Sequence, residues 1–444
     1  MANRNHLDAI LKALRFRDRS VAELEAIPEP DWSAVLQATD RAHLTLALAA
    51  RCAGSLPDSV RARVDRNLTD NQIRYERLVM AQTQITDALA LYGIDHVVLK
   101  GLAQWPWYTD DPVDRPQYDI DLYVPSESMP DATKAMQALG YNPAGDALDP
   151  GADHLPVMIR RTGWTWRGNY HDPEMPLSLE LHYRFWNRGM MRFCAEDLSQ
   201  FPERSVVREI NGISFRTLHP VDGLTYSAMH LVRHLLNGDM RLRHVYEIAH
   251  FLDRSARQES FWTEWRETAL TPCRMMEGIA FRLARDWFHC DVHPAAEAAI
   301  EELPASVNRW FALFGATPAW APSGADSNAG KNEIWLHFCL LKSAKDKRDV
   351  ALRRLFPKRR MRVHLDPHVP PAKTGPALRL RRRLFEVSFI AERAIHHARV
   401  LAPTLHGALR WQFAGTADRK PAVQNGPPGS AASIPPAQPR TTVP

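Results

Sequence analysis

Cysteine is scarce and unpatterned: Cys52, Cys194, Cys273, Cys290 and Cys339 are the only five in 444 residues, and no two form a C-x-x-C pair. An odd, scattered set argues against a disulfide framework or a zinc knuckle and fits a reducing compartment. Long apolar runs are missing too. No stretch approaches the roughly 18 apolar residues of a membrane span, and the opening MANRNHLDAILKALRFRDRS has too much interspersed charge for a secretory signal. The expectation is a cytoplasmic protein with no transmembrane segment. Internal repeats are absent as well. What is present, 45% apolar and 24% charged residues, describes an ordinary globular chain with room for two or three domains. The net charge of +5 is unevenly placed: positions 342–383 hold 15 Lys and Arg against 3 Asp, so the other residues together are net acidic.

Leu7, Ile10, Leu11 and Leu14 have helical spacing, and Ser20-Val21-Ala22-Glu23 has the form of a capping box opening a second short helix. Asp31 is a candidate cap for a third helix running to about Arg51. Pro57 to Leu91 reads as one long helix or a kinked pair, with Val60, Val64, Leu68, Ile73, Leu78, Ile85 and Leu89 as its apolar stripe and Gly93 as its stop. After Val124 a helix ends at Gly140, and a loop rich in Gly, Asp and Pro runs from Asn142 to about Pro156. Leu177 to Phe185 alternates apolar and polar residues, the pattern of a strand with Glu180, His182 and Arg184 on one face and Leu179, Leu181, Tyr183 and Phe185 on the other. Asn211-Gly212 joins two β-like runs as a hairpin turn. From Pro220 the spacing predicts helices over about 220–237, 241–254, 258–269 and 272–288. Residues 321–330 read as a linker, 331–413 as helices interrupted around 367–376, and the Pro-rich end from Gly415 as disordered.

The stretch from Val97 to Val124 concentrates the chemistry. An apolar β-branched run stops at Lys100-Gly101, where glycine permits a close turn. A second run, Tyr118 to Val124, carries Asp119 and Asp121, which project from the same face because side chains alternate along a strand. Two like charges on an otherwise apolar strand call for water or a cation, and magnesium is the usual cation for clustered oxygen ligands.

These residues resemble a known family. Leu99-Lys100-Gly101, Arg115 four residues before Asp119-Ile120-Asp121-Leu122-Tyr123-Val124, and Leu179-Glu180-Leu181-His182-Tyr183-Arg184 are similar to the uncharacterised bacterial nucleotidyltransferases of the DNA polymerase β type, over roughly residues 60–260. The resemblance implies an α+β fold: a small mixed β-sheet nucleotidyltransferase core flanked by N-terminal and C-terminal helical regions. It implies two Mg2+ ions held by Asp119, Asp121 and Glu180, with an NTP, by preference ATP, contacting Lys100, Gly101 and Arg115. An acceptor hydroxyl on a small molecule or protein would take the nucleoside monophosphate, with pyrophosphate leaving. His182, on the face of Glu180, would orient a ligand carboxylate from behind. Two departures stand out. Leu102 occupies the place of the superfamily's phosphate-holding Ser, and Glu180 is one methylene longer than the usual Asp.

Each residue also has a plain reading. Asp119 and Asp121 could be solvated on an exposed sheet face, Glu180 could pair with Arg184, Lys100 and Arg115 could be ordinary ion-pairing charges, and His182 a hydrogen-bonded structural histidine. His230 and His234, one helical turn apart, have a zinc-compatible spacing without a third ligand at a fixed offset, which favours a structural role. Trp105, Trp107 and Tyr108 could stack on a base or cover the sheet edge. Arg353 to Arg362 and Arg379 to Arg383 suit either an anionic partner such as nucleic acid or a membrane surface, or amphipathic helices with solvated basic faces, the favoured reading. The expected organisation is a helical region 1–92, the nucleotidyltransferase-like core 93–218, a helical domain 219–320, a basic helical region 331–413 and a tail 414–444. Two other functions remain: a catalytically silent binding or regulatory module on this fold, and a nucleic-acid binder using the basic segment.

Overall fold

The computed structural model describes residues 4–144, 153–193, 198–315, 331–355 and 376–417. Seven strands form one mixed sheet: β1 (Val97–Val98), β2 (Asp119–Tyr123), β3 (Tyr141–Pro143), β4 (Met158–Arg160), β5 (Ser178–His182), β6 (Val206–Ile210) and β7 (Ile213–Thr217). Their spatial order is β3-β4-β5-β2-β1-β7-β6. β2 runs parallel to β5, and β1 parallel to β7; the other neighbours are antiparallel. Helices precede and follow the sheet, so the α+β class expected from the resemblance holds.

One face of the sheet is sealed by helices. Ile120 and Leu122 of β2 and Leu179 and Leu181 of β5 pack with Leu78, Ile85 and Leu89 of the long helix Asp58–Leu91 and with Ala132, Ala135 and Met136 of the helix Met129–Ala138. Alternation along both strands therefore sends Asp119, Asp121, Glu180 and His182 to the other face. There a helical body lies opposite, led by Pro220–Asn237, Leu242–Ser255, Glu259–Thr268 and Arg274–Phe288, with an aromatic-rich core that includes Trp262, Trp265, Phe281 and Phe288. These four helices match the four spans expected after Pro220.

The long helix is continuous, and Gly93 beyond it takes φ +64°, a left-handed stop that glycine adopts without penalty. Its stripe is less apolar than expected. Ile73 is 42% exposed, while Asn67, Asn71 and Arg74 are buried at mid-helix. Arg74 accounts for this: its guanidinium donates to the carbonyls of Asp172 (2.8 Å), Met175 (3.2 Å) and Gln117 (3.0 Å). One buried cation thus anchors the segments that lead into β2 and β5.

Several local expectations are corrected. The single helix from Asp31 to Arg51 is two, Trp32–Ala42 and Thr45–Cys52, because His43 takes a left-handed φ of +60° and ends the first. Asp31 makes no side-chain cap, and the short helix Ala22–Glu25 forms without one from Ser20. The nine-residue strand is five residues long, since the chain bends after His182. Asn142 belongs to β3 rather than to a loop. The Asn211-Gly212 hairpin is present, with both residues at positive φ.

Beyond the linker the described helices are Glu333–Leu340, Ala344–Leu355 and Pro376–Ala417. Arg353 donates to the carbonyl of Gly189 at 2.7 Å, and Arg354 reaches that of Leu236, so these two basic residues are tied to the body. Leu380 and Leu384 are 60% and 62% exposed. The linker 321–330, the interruption at 367–376 up to Gly375, positions 356–362 and the tail past 417 lie outside the described residues. The four described cysteines are free thiols, and no described helix is long and apolar enough to cross a membrane.

Candidate active site

The parallel register of β2 against β5 sets Asp119 opposite Ser178, Asp121 opposite Glu180, and Tyr123 opposite His182. A carboxylate on each of two adjacent strands therefore faces the same cavity. Asp121, Glu180 and His182 bring ligand atoms within 4.8 Å of one another, the only such metal-compatible group among the described residues. Asp119 lines the same cavity, one pleat away on β2.

The charges balance in pairs. Lys100, at the end of β1, is steered in because the Leu99 amide donates to the Asp121 carbonyl at 3.0 Å, and its ammonium lies 3.0 Å from Asp121 Oδ2. His182 Nε2 donates to Asp121 Oδ1 at 3.0 Å and stands 3.5 Å from Glu180 Oε2, which His154 approaches at 3.7 Å. Burial alone would keep Asp121 protonated. The Lys100 ammonium and the His182 hydrogen bond outweigh it and hold this carboxyl well below the usual carboxylate range. Lys100 in turn is raised, because Asp121 together with Tyr226, Asp119 and Glu180 outweighs its burial. Asp119 moves the other way: burial and the neighbouring Asp121 charge push its carboxyl up. Glu180 is lowered, because the His182 hydrogen bond and the His154 and His182 charges together outweigh burial and the neighbouring Asp121, and His182 is raised against its own burial by Asp121 and Glu180.

Of the residues singled out in the sequence, Lys100, Arg115, Asp119, Asp121 and Glu180 all line one cavity of about 250 Å3, and His182 stands behind it on Asp121. Gly101 does not. It lines a small separate hollow with Leu102, Trp105 and Gln117. Its φ is +70°, and a Cβ there would lie 2.0 Å from the Gln117 amide nitrogen, so glycine is required to admit a side chain of this protein. Its N–H donates to Gln104 Oε1 at 3.2 Å, and Leu102 is buried at 3% exposure in the sheet core. Arg115 donates to Glu247 (2.9 Å) and to Gln104 (2.6 Å), a structural fork at the cavity's edge. Glu180 pairs with histidines, whereas Arg184 turns toward Asp153 at 3.9 Å. Trp107 stacks on Phe251 at 5.2 Å and Tyr108 is buried against the same ring, so both cover the helical body.

The opposite wall was not legible as a unit. It consists of His230, Arg233 and His234 from Pro220–Asn237, and Arg241, Arg243, His244 and Glu247 at the start of the next helix. His230 and His234 meet His244, with ring centroids 4.4 to 5.2 Å apart. The run Arg241-Leu242-Arg243-His244 was the available signal, but only the turn at Gly238, with φ +75°, brings it to the His230 face. An acidic wall on strands and a basic wall on helices can hold a cation and a polyanion side by side.

A family model described as an uncharacterised nucleotidyltransferase matches residues 28–289, a span that contains the whole sheet, both cavity walls and the long helix. No curated protein and no solved structure matches the chain.

Proposed function

The chain belongs to that uncharacterised nucleotidyltransferase family, and from this premise we propose that it is a Mg2+-dependent enzyme of the DNA polymerase β type. It would transfer the nucleoside monophosphate of an NTP, by preference AMP from ATP, to a hydroxyl or similar acceptor on a small molecule or protein. The observation that carries the proposal is the β2/β5 register, which aligns Asp121 with Glu180 in a cavity that Asp119 also lines.

The donor set fits magnesium. Three carboxylates are hard oxygen ligands, and two of them are held ionised by a buried lysine and histidine in spite of burial. Asp119, Asp121 and Glu180 would hold the metal. Bound there, two ions would stabilise the attacking and leaving oxygens of an in-line displacement at phosphorus. The chain's own residues do the rest. His182 fixes the Asp121 rotamer, Lys100 supplies a positive charge held on Asp121 at the cavity floor, and Arg74 and Arg115 keep the loops before β2 and β5 in place. In the transfer the acceptor hydroxyl gives up its proton to solvent as a bond forms between its oxygen and the α-phosphorus, and the bond from that phosphorus to the β-phosphate oxygen breaks, releasing pyrophosphate.

Supporting results would be Mg2+-dependent NTP binding by calorimetry and transfer of α-phosphate label to a component of cell extract, lost when Asp119→Ala and Asp121→Ala are combined. Absence of Mg-NTP binding would overturn the proposal. A catalytically silent module on this fold draws support from one observation, the glycine turn whose N–H is already used by Gln104. It requires NTP binding without transfer.

A further inference from the structure

In a nucleotidyltransferase the nucleotide's polyphosphate needs a set of hydrogen-bond donors close to the carboxylates. The glycine turn cannot supply it. The Gly101 N–H is engaged by Gln104, the space over its Cα is filled by the Gln117 amide, and Leu102 brings no hydroxyl and is buried. The turn also faces a different hollow from the one that holds Asp119, Asp121 and Glu180.

The donors lie across the cavity. After the ion pairs Lys100–Asp121, Arg115–Glu247 and Arg233–Asp153 are set aside, the lining of the basic wall still holds Arg241 and three imidazoles. Arg241 is exposed, and its guanidinium has no hydrogen-bonding or ion-pairing partner among the described residues. His244 Nδ1 is buried without a partner; Arg243 donates one amine to the Pro116 carbonyl, while its buried Nε has only the long approach to Glu247 at 3.4 Å. The three imidazoles do not form a cation site, since the metal-compatible group among the described residues is the one on the strands. His244 is the one imidazole of the three with a buried, unpartnered nitrogen; His230 Nδ1 already accepts from Arg233 at 3.3 Å and His234 Nδ1 meets Asp239 at 3.1 Å, so these two have only their Nε2 to offer an acceptor.

We infer that the corner between Pro220–Asn237 and Leu242–Ser255 is a polyphosphate cradle, in which His230, His234, Arg241, Arg243 and His244 hold the triphosphate of the nucleotide in place of the glycine turn. The inference rests on the nucleotidyltransferase reading and names the residues that bind the donor. Its chemistry has a measurable signature. Burial keeps all three imidazoles neutral in the free protein, helped by Lys100 from the turn, by Arg233 for His230 and His234 on its own helix, and by Arg243 and Arg241 for His244; Asp239, 3.1 Å from His234 Nδ1, opposes this only for His234. A bound triphosphate reverses the local sign of charge, so the imidazoles take up protons as it binds.

The test is calorimetry of ATP and of inorganic tripolyphosphate at constant Mg2+ near pH 7.5, in two buffers of different ionisation enthalpy. The wild type is expected to bind both ligands with net proton uptake. Arg241→Ala, and separately the double variant His230→Gln with His234→Gln, should weaken both by about tenfold or more while keeping the wild-type circular dichroism spectrum, because each removes charge-assisted donors. The double variant, which keeps only His244, should also lose most of the proton uptake, which a merely structural pair of histidines would not alter. Unchanged affinities in the folded variants, or binding without proton uptake, would overturn the cradle. If the wild type transfers label and these variants only raise the acceptor KM, the cradle falls and the enzyme reading stands. If the wild type takes up protons with tripolyphosphate but never binds a nucleotide, the enzyme reading falls and the cradle stands as an anion site.

Discussion

Glu277 offers a quantitative test of the helical body that carries the basic wall. It is fully buried on Arg274–Phe288, and one oxygen, Oε1, accepts from Thr225 (2.6 Å) and Trp265 (3.2 Å) while Oε2 is buried with no partner. Burial pushes the carboxyl up from 4.5 to about 7, the two donated hydrogen bonds pulling back only part of the way. The folded state therefore retains a proton that the unfolded chain loses, and stability must fall as pH rises from near 4.5 to near 7. At roughly 1.4 kcal/mol per unit, this single group removes roughly 2–3 kcal/mol between pH 5 and pH 8. Glu277→Gln keeps the accepting oxygen and puts an uncharged amide where Oε2 stands. Its stability relative to wild type should improve by about 2 kcal/mol on going from pH 5 to pH 8. Urea unfolding of both proteins across that range measures the difference. Parallel pH profiles for the two would refute the assignment of a buried, neutral Glu277.

Three further outcomes follow from the site. Lys100→Met leaves Asp121 as a buried anion with one remaining counter-charge, which should cost roughly 3–5 kcal/mol. In thermal scans Mn2+ or Mg2+ should recover more of the lost melting temperature in the variant than it adds to the wild type, because the ion can take the ammonium's place; equal shifts would contradict the shared position. Gly101→Ala should destabilise by about 2 kcal/mol or more from its positive φ and its overlap with Gln117. Adding Gln117→Ala should relieve the overlap and leave about 1 kcal/mol of backbone strain, so a double variant no better than the single one would contradict the packing account.

How much of this was legible follows from which interactions are local. β2 and β5 could be read because carboxylates alternate with Ile120, Leu122, Leu179 and Leu181 at period two, and burial of the apolar set obliges the polar set to share the other face. The Asn211-Gly212 hairpin could be read because two positive-φ residues were written into its turn. β3 and β4 escaped, being three residues each, with Pro143 in one of them, and held by pairing rather than by propensity. His43 escaped because nothing in its identity marks it as a left-handed helix stop. The site itself divides in the same way. Asp119, Asp121 and Glu180 lie on one lattice of strand positions, whereas the basic wall joins two helices through a turn, and the pairing of His244 with His230 is a tertiary fact. Gly101 was legible as a required glycine, but its reason is Gln117, a neighbour no local pattern identifies.

The central claim is transfer of the α-phosphate with its nucleoside from a site built on Asp119, Asp121 and Glu180. Its most direct test is a parallel incubation of the purified protein with Mg2+, cell extract and ATP labelled either at the α- or at the γ-phosphate. The account predicts that α-label becomes attached to an acceptor, that γ-label leaves in pyrophosphate, and that the combined Asp119→Ala and Asp121→Ala variant does neither. Attachment of γ-label, or α-label transfer undiminished in that variant, would contradict it.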